Sequence, residues 1–565
     1  MNIQAIEHIP ESKYCFALDA NTIKIRLRVA KEDNIDKINI LFGCKYDFSM
    51  ERFSKTLRKT HETNLFAYYE TTLNLKDVRL VYIFEIYENN QKYYFSEDGI
   101  TNDYDFKNSF YNAFQYSYIN KNDLFPCVDW LKTATFYQIF VDRFNIGDDK
   151  KDKSYINLKW GDIPSPKSFA GGDLKGIIQK LDYIKNIGFN AIYLTPIFSS
   201  ISNHKYDTKD YFHVDEQFGD EFDLSELVNN AHKLGMKVVL DAVFNHCSDE
   251  IEQYQDVLKN GKNSKYFNWF VYKNENTLEV ETFAHCEYMP KLNTANPEVQ
   301  DYLIKIALHY INVFDIDGWR LDVSDEVSHN FWKKFRIAVK KTKPDCVIIG
   351  ENWHDAQSFL RGDEFDSIMN YAFTKACLDY FAFNKFNAKE MSNKLNELLM
   401  RNNDHTNLMM LNLLDSHDTL RFLTEVKENK DKLYCALALL YFYVGVPCLY
   451  YGTEIDMVGG YDPDSRRTYN WSYKNHDTIE LIQKLSSLKR EGYLENPNMV
   501  IHSSGELLTL KCNSKDYDLI LTINNTEKEI SYSSKDVIIG HNYNKKVIKP
   551  FGFMIEKRRS MNDES

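Results

Sequence analysis

The chain has 565 residues, more than one hydrophobic core can organise, so several domains are expected. Hydrophobic residues make up 43% and charged residues 27% of the chain, which is the mix of a globular protein. The 82 acidic and 69 basic side chains give a net charge of −13, and because an acidic surface repels phosphate backbones, nucleic acid is excluded as an expected partner.

The first residues of the chain and its cysteines indicate the cellular compartment of the protein. The segment MNIQAIEHIPESKY contains no basic stretch followed by an apolar one, so no signal peptide is visible. The ten cysteines form no CxxC pair and show no regular spacing, which favours a reduced chain with buried thiols. We therefore expect a cytoplasmic protein.

Three regions are predicted along the chain. Over residues 1–123, short alternating segments such as TIKIRLRVA and RLVYIFEIY predict strands and an N-terminal β-sandwich that resembles a carbohydrate-binding module. Residues 124–495 alternate strand-like and helix-like segments. Residues 496–565 return to strand-like segments such as ELLTLKC and YDLILTIN, which predict a C-terminal β-sandwich.

The middle region predicts a (β/α)8 TIM barrel, because eight strand-like runs occur in about 350 residues with helical patterns between most of them. A gap at residues 245–296, after the third run, is too long for a simple loop and predicts an inserted subdomain. The apolar run Leu433–Tyr451 is near membrane length, but a glycine and a proline break it, so we interpret it as a buried helix followed by a strand and expect no membrane partner. The runs lie at residues 135–141, 191–196, 237–244, 318–323, 346–352, 367–371, 408–415 and 446–452.

Polar side chains stand at the ends of four of these runs. In a parallel barrel the carboxyl ends of the strands meet at one rim, where catalytic groups lie. We therefore expect these side chains to converge on one site. Unrelated surface charges would not be expected to occur at four strand ends of the same barrel. They are Asp241 in the third run with Asn245 and His246 just after it, Arg320 and Asp322 in the fourth, Glu351 in the fifth, and His417 and Asp418 after the seventh.

Paired carboxylates in this setting suit the cleavage of a glycosidic bond. One carboxylate must be ionised to attack the sugar, and another must be protonated to assist the leaving oxygen. In GWRLDVSDE, Arg320 and Asp322 share one face of a strand, and an adjacent cation favours the ionised form of Asp322. Glu351 follows the apolar residues VII, and partial burial near other carboxylates would raise its pKa as a general acid requires.

The motifs DAVFNH, GWRLDVSDE, GENW and LLDSHD resemble, in order, the four signature regions of the α-amylase family of glycoside hydrolases, and the resemblance covers the whole barrel. It implies a retaining double displacement with Asp322 as nucleophile and Glu351 as acid/base. It also implies that Asp418 stabilises the transition state and that Arg320 positions the nucleophile. The sugar-binding residues implied by the same resemblance are His204, Tyr206, His246 and His417, with Tyr206 stacking beneath the sugar.

A further motif, MPKLNT at residues 289–294, resembles the extra signature of the cyclomaltodextrinase, neopullulanase and maltogenic amylase group. Membership of that group implies cleavage of α-1,4 bonds in cyclodextrins, maltooligosaccharides and pullulan, transglycosylation as a side reaction, and a homodimer. It places Asp462 and Arg466 at the glycone end of the site. It places Glu326, Trp353 and Tyr371 at the aglycone end.

Relatives often bind Ca²⁺ in the loop after the first barrel strand, which here reads RFNIGDDKKDK and is followed by AGGD. The candidate ligands are Asp148, Asp152, the Gly171 carbonyl and Asp173. Ile146 and Lys151 stand where further ligands are expected, and Ca²⁺ prefers six to eight oxygens. Two interpretations stay open: a weak Ca²⁺ site, or a lysine ammonium in the place of the metal. No cofactor is otherwise required.

Two alternatives remain for the function. One is an α-glucosidase or an α-1,6-acting hydrolase on the same barrel, against which MPKLNT and the N-terminal domain argue. The other is a non-catalytic relative that only binds sugar. Such relatives usually lose a carboxylate, whereas this sequence keeps all three.

Overall fold

The computed structural model describes residues 1–125, 127–495, 499–514 and 516–560. The described residues form two compact units. The domain boundaries predicted at 123/124 and 495/496 stay predictions, and residue 496 lies outside the described residues. The first unit contains the described residues between 1 and 127, between 386 and 407, and between 497 and 513; the second contains those between 128 and 385, between 408 and 496, and from 514 onward.

Within residues 1–125 the first unit forms one antiparallel sheet of nine strands. Alternate residues of each strand point to the same face, and the buried faces are apolar. Ile23 and Ile25 of the second strand share a core with Tyr82 and Phe84 of the sixth, so the sheet folds back on itself as the predicted sandwich. The strands are Cys15–Ala17, Thr22–Ala30, Ile35–Cys44, Phe53–Glu62, Phe66–Asn74, Leu80–Glu88, Gln91–Ser96, Gly99–Thr101 and Phe114–Tyr116.

The second unit contains a barrel of eight parallel strands among its described residues. Neighbouring strands follow chain order around the barrel, and a parallel bridge between Met369 and Leu411 joins the sixth strand to the seventh. Each strand lies inside one of the predicted runs, so the TIM barrel is confirmed. The strands are β1 Phe136–Ile139, β2 Ala191–Leu194, β3 Lys237–Ala242, β4 Gly318–Leu321, β5 Val347–Gly350, β6 Ser367–Ile368, β7 Leu411–Leu413 and β8 Val446–Tyr450.

Helices connect the barrel strands. The apolar run Leu433–Tyr451 forms the end of a buried helix and then β8, as predicted. Among the described residues, no helix is long and apolar enough to cross a membrane. The helices of the second unit are Val141–Phe144, Leu174–Ile178, Leu181–Ile187, Glu221–Lys233, Glu252–Asn260, Pro297–Phe314, His329–Thr342, Tyr371–Cys377, Phe422–Glu425, Lys430–Phe442 and Asp477–Arg490; Ala388–Met400 lies in the first unit, and Asp404–Met409 spans the division between the units.

Two excursions from the barrel shape its rim. After β2, the strands Phe198–Ser200 and Thr208–Val214 form a hairpin. After β3, the predicted subdomain is confirmed as the helix Glu252–Asn260 with a small hairpin of Tyr272–Asn274 and Glu279–Val280. Both excursions leave the carboxyl ends of their strands, so their loops can reach the same rim as the predicted catalytic groups.

The C-terminal segment is rich in antiparallel strands, as predicted. In the first unit, Met499–Ser504 pairs with Leu507–Asn513. In the second unit, Tyr517–Asn524, Ile530–Ser531 and Val537–Tyr543 each pair with the long strand Val547–Arg559.

Candidate active site

The register of three neighbouring strands brings the predicted residues together. Asp241 of β3 stands opposite Arg320 of β4, and Leu321 of β4 stands opposite Gly350 of β5. Asp322 and Glu351 are the residues that follow β4 and β5, so both leave the sheet at the same edge. The sequence expectation that these groups converge is confirmed.

Arg320 is the centre of this cluster and is fully buried. Its Nη1 donates to Asp322 Oδ1 at 2.8 Å and to both carboxylate oxygens of Asp241 at 3.0 Å. Its Nη2 lies 2.8 Å from Glu351 Oε1. One planar guanidinium therefore holds three carboxylates, including both residues predicted to react.

The backbone also fixes Glu351. Val323 has φ 45°, a left-handed conformation that is costly for a β-branched residue. In this conformation its N–H donates to Glu351 Oε2 at 3.0 Å, while Trp353 Nε1 lies 3.3 Å from the other oxygen, Oε1. Strain of this kind concentrates at functional sites, and here it directs a donor at the predicted acid/base.

Burial changes the electrostatics that the sequence argument assumed. Burial raises the pKa of Asp322 well above the usual aspartate value, and the Arg320 guanidinium acts in the opposite direction. Arg320 thus acts on Asp322 in the direction expected from the sequence, but burial has the larger effect on its pKa. Burial also raises the pKa of Glu351, with Asp418 adding to the effect, and raises the pKa of Asp241 to about 6. Carboxylates this close to one another disfavour each other's ionised form, which adds to the effect of burial on the pKa values of the cluster.

Two histidines face this cluster in neutral form. His246 is buried, and burial lowers its pKa to about 3. Its Nε2 has no hydrogen-bond partner among the described residues and lies 4.0 Å from Asp322 Oδ2, so it is free to meet a sugar hydroxyl. His417 lies between Gln138, 2.7 Å from Nδ1, and the Tyr206 hydroxyl, 2.6 Å from Nε2.

One end of the site is built around Asp418. Its Oδ1 accepts from Arg466 Nη2 at 3.2 Å, and Arg466 Nη1 lies 2.9 Å from Asp462. Desolvation raises the pKa of Asp418, and the Arg466 guanidinium opposes this shift. His204 and Tyr206, from the hairpin after β2, line the same cleft. The structure thus brings the predicted glycone-end residues together.

The other end carries an exposed aromatic ring. Trp353 is 52% exposed and stacks on Tyr371 with 3.7 Å between ring centroids. Tyr371 itself is buried and supports the tryptophan from below. Glu326 is exposed nearby and pairs with Lys291 at 2.7 Å. This edge offers a flat apolar surface beside charged groups, a combination that suits a sugar ring.

The sequence of this chain also matches two known domain families. The alpha amylase catalytic-domain family matches residues 138–491, and the alpha amylase N-terminal ig-like domain matches residues 1–120. This chain belongs to the alpha-amylase family. It is accordingly a glycoside hydrolase, and the two matched segments cover the barrel and the N-terminal sheet.

Individual alpha-amylase relatives are similar over nearly the whole chain. A cyclomaltodextrinase of Thermoanaerobacter pseudethanolicus is 42% identical over 536 residues, which cover 93% of each chain. Neopullulanase 2 of Thermoactinomyces vulgaris is 39% identical over 510 residues, covering 87% of this chain and 86% of that protein. A solved cyclomaltodextrinase structure superposes with a TM-score of 0.91 and 33% identity, covering 99% of this chain and 100% of the other.

The cleft also contains residues that the sequence interpretation did not assign. The cleft has a volume of about 550 Å³, and one wall comes from the inserted subdomain. Phe283 of this wall stacks on His246 with 4.7 Å between ring centroids. The motif MPKLNT was a signal for part of this wall, because Met289 lines the cleft and Lys291 Nζ donates to Asn245 Oδ1 at 2.5 Å. The unassigned lining residues are Phe283, Cys286, Tyr288, Met289 and Val323.

The loop considered for Ca²⁺ does not fit the metal. Asp148 forms a 2.7 Å ion pair with a lysine of the following helix, and exposed Asp152 accepts hydrogen bonds from the serine two positions further on. Lys151 Nζ lies 2.5 Å from the Gly171 carbonyl and 2.9 Å from Asp173 Oδ2. The four predicted ligands are thus bound to other groups or turned away. Among the described residues, no group of three or more His, Cys, Asp or Glu side chains is arranged to hold a metal ion.

Proposed function

We propose that this glycoside hydrolase cleaves α-1,4-glucosidic bonds of cyclodextrins, maltooligosaccharides and pullulan with retention of configuration. The observation that supports this proposal is the convergence of Asp322, Glu351 and Asp418 around buried Arg320 at one cleft. Two carboxylates held by one guanidinium lie close together, and a short separation, about 5–5.5 Å, distinguishes retaining from inverting enzymes.

In the first step, an oxygen of ionised Asp322 attacks the anomeric carbon while Glu351 gives its proton to the glycosidic oxygen. The bond from the anomeric carbon to that oxygen breaks, and a bond to Asp322 forms. The leaving glucan departs with the proton. The contact of Arg320 with Asp322 supports an ionised nucleophile, whereas burial and the charge of Asp418, which raise the pKa of Glu351, support a protonated acid.

In the second step, a water molecule attacks the anomeric carbon and gives its proton to Glu351. The bond to Asp322 breaks, and the product keeps its original configuration. A sugar hydroxyl can replace the water, which gives transglycosylation. Exposed Trp353 beside Glu351 supports this side reaction, since a stacked acceptor sugar would lie next to the group that removes its proton.

The remaining polar groups are proposed to bind the sugar on the glycone side. Asp418 would accept hydrogen bonds from sugar hydroxyls and strengthen them as positive charge develops on the ring. His246 has a buried ring nitrogen without a partner among the described residues, which suits a hydroxyl contact. Arg466 and Asp462 would close this end of the cleft.

The substrate class rests on two observations together. The relatives that match nearly the full chain are named cyclomaltodextrinase and neopullulanase 2. The cleft of this chain, at about 550 Å³, has the size of a typical small-ligand pocket and admits a short glucan segment. Both favour small or cyclic glucans over starch granules.

A product profile tests this proposal. We expect β-cyclodextrin to be opened and shortened, pullulan to yield panose, and soluble starch to react more slowly. Maltotriose from pullulan would instead indicate α-1,6 cleavage and favour the alternative hydrolase. Binding of maltotriose by calorimetry without any product from the three glucans would favour a sugar-binding role.

Removal of the exposed aromatic ring should affect the aglycone side. We expect Trp353→Ala to raise KM for maltotetraose about 5- to 10-fold and to lower the ratio of transfer to hydrolysis, because a stacking contact is worth roughly 1 kcal/mol. Trp353→Phe keeps a ring on Tyr371 and is the matched control. Chromatography of products against substrate concentration measures both quantities; equal transfer ratios in the two variants and the wild type would contradict the role.

The proposed setting is a cytoplasmic homodimer. The proposal of a homodimer is consistent with several exposed large apolar side chains in residues 1–125, which a partner could cover. Buried cysteines such as Cys15, Cys247 and Cys435 carry free thiols, as in a reducing compartment. Light scattering at micromolar concentration tests the assembly, and a stable monomer would contradict it. The exposed side chains are Tyr46, Met50, Phe53, Phe110 and Tyr111.

A further inference from the structure

Lys151 lies in the loop after the first helical turn of the barrel, and its side chain is only 8% exposed. Its ammonium has three oxygen neighbours from two other segments of the chain. They are the Gly171 carbonyl at 2.5 Å, the Gln217 carbonyl at 3.0 Å and Asp173 Oδ2 at 2.9 Å. An ammonium has three donors and no acceptor, so this oxygen set matches it fully.

The Asp173 carboxylate also organises the start of the next helix. The Asp173 carboxylate caps the helix Leu174–Ile178 by accepting from Gly176 N at 2.7 Å. It also accepts from Gly147 N at 2.9 Å and Asp148 N at 3.1 Å, both in the loop that contains Lys151. A cation beside this carboxylate therefore joins the loop to the helix and balances a charge that is almost completely buried.

The chemistry of the loop excludes a metal in the same place. The ammonium already takes the Gly171 and Asp173 oxygens, and a divalent cation beside it would meet like charge. On the neighbouring side, the Ile146 and Ile156 side chains lie against Gly171, where a further oxygen ligand would have to stand. Hydrocarbon at that position supplies no lone pair for Ca²⁺.

A continuous set of contacts leads from Lys151 to the cleft. The backbone carbonyl of Gln217 accepts from Lys151, and its side-chain Oε1 accepts from Lys205 Nζ at 2.7 Å. Lys205 is fully buried, has φ 63° and pairs with Asp215 at 3.0 Å. Its two chain neighbours, His204 and Tyr206, line the active-site cleft. Lys151 and Lys205 thus both bind Gln217. Lys205 is flanked in the chain by the two residues that line the cleft.

We infer that Lys151 is a built-in cation that replaces a bound metal in this loop and positions the glycone side of the cleft through Gln217 and Lys205. Lys151 is a positioning residue, because it touches neither substrate nor the reacting carboxylates. The consequence is that folding and activity of this chain do not depend on Ca²⁺ at this loop. The metal content and thermal stability that follow from this inference can be measured without substrate, so they are independent of the proposed function.

The first experiment uses the unaltered protein. We expect the purified chain to contain substoichiometric Ca²⁺ by elemental analysis, and its melting temperature to be the same with EDTA and with millimolar CaCl₂. One Ca²⁺ per chain together with a lower melting temperature in EDTA would overturn the inference. This result needs no variant, so it stands even where substitutions prevent folding.

The second experiment removes the cation. We expect Lys151→Met to lower the melting temperature and to raise KM for maltotriose several-fold with a smaller change in kcat, because the reacting carboxylates keep their contacts. Lys150→Met is the matched control, since Lys150 is exposed and adjacent in the chain. Unchanged melting temperature and KM in Lys151→Met relative to this control would overturn the inference.

Chemical rescue tests whether the positive charge of Lys151 is required or only the volume of its side chain. Lys151→Ala lacks three methylenes and the ammonium, which together match propylammonium. We expect propylammonium chloride to restore KM and melting temperature in this variant, while propanol and tetramethylammonium chloride do not. Equal rescue by propanol would show that volume and not charge matters, and would overturn the inference.

Discussion

Replacement of Asp322 by asparagine is expected to lower kcat by a factor on the order of 10⁴ or more, because the variant has no carboxylate to attack the anomeric carbon. Asparagine has nearly the same shape, so the contact with Arg320 and the fold should persist. Initial rates on maltotriose, with melting temperature as a check of folding, measure the effect. Full activity in Asp322→Asn would refute the nucleophile assignment.

A second variant tests whether Asp322 acts as the nucleophile. Asp322→Ala opens space next to the anomeric carbon, and azide should then act as an external nucleophile. We expect azide to restore part of the rate on an activated maltosyl fluoride and to give a glycosyl azide of inverted configuration, since one displacement replaces two. Asp301→Asn, on the exposed face of Pro297–Phe314, is the matched control for loss of one carboxylate.

Replacement of Glu351 by glutamine is expected to lower kcat on maltooligosaccharides by about 10²- to 10⁴-fold, the usual contribution of a general acid. A fluoride leaving group needs no proton, so the loss on maltosyl fluoride should be much smaller in the first step. Comparison of the two substrates in the same variant measures the acid contribution. An equal loss on both would contradict the role, and Glu480→Gln, on an exposed helical face, is the control.

The pH dependence gives an independent check of Glu351. Burial raises its pKa above the usual glutamate value, with the charge of Asp418 acting in the same direction. The protonated form is the active acid, so the rate should fall as pH rises through this raised pKa. We expect the wild type to show this alkaline decline in kcat/KM on maltotriose and Glu351→Gln to lose it in its residual activity on the same substrate. Retention of the same decline in the variant would assign it to another group of the cluster.

The order of the barrel strands and the proximity of Asp322 and Glu351 were predictable from the sequence. Strands and helices differ in the spacing of apolar residues, and this spacing is local, so eight short runs were sufficient to predict the TIM barrel. Parallel strands place their carboxyl ends at one rim, so Asp322 and Glu351 had to approach each other once the barrel formed. The signature motifs are local as well.

Other features of the site depend on residues far apart in the chain. The contact of Arg320 Nη2 with Glu351 follows from the register of β4 and β5, which no single segment determines. Phe283 reaches His246 only because the inserted subdomain folds against the rim. Burial of Asp322 raises its pKa against the effect of Arg320, and the sequence could not show the extent of this burial because desolvation depends on everything packed around the group.

The loop after β1 shows the same difference between what local sequence determines and what long-range packing determines. The sequence by itself determined that a lysine and an isoleucine stand among candidate metal ligands, and it left a bound Ca²⁺ and a lysine ammonium as open alternatives. Only the tertiary structure decided where the lysine ammonium lies, because Gln217 is far in the chain from Gly171 and Asp173, and these residues meet Lys151 only after folding. Residue types and local periodicity determine which groups are available; long-range packing determines which of them meet and in which charge state.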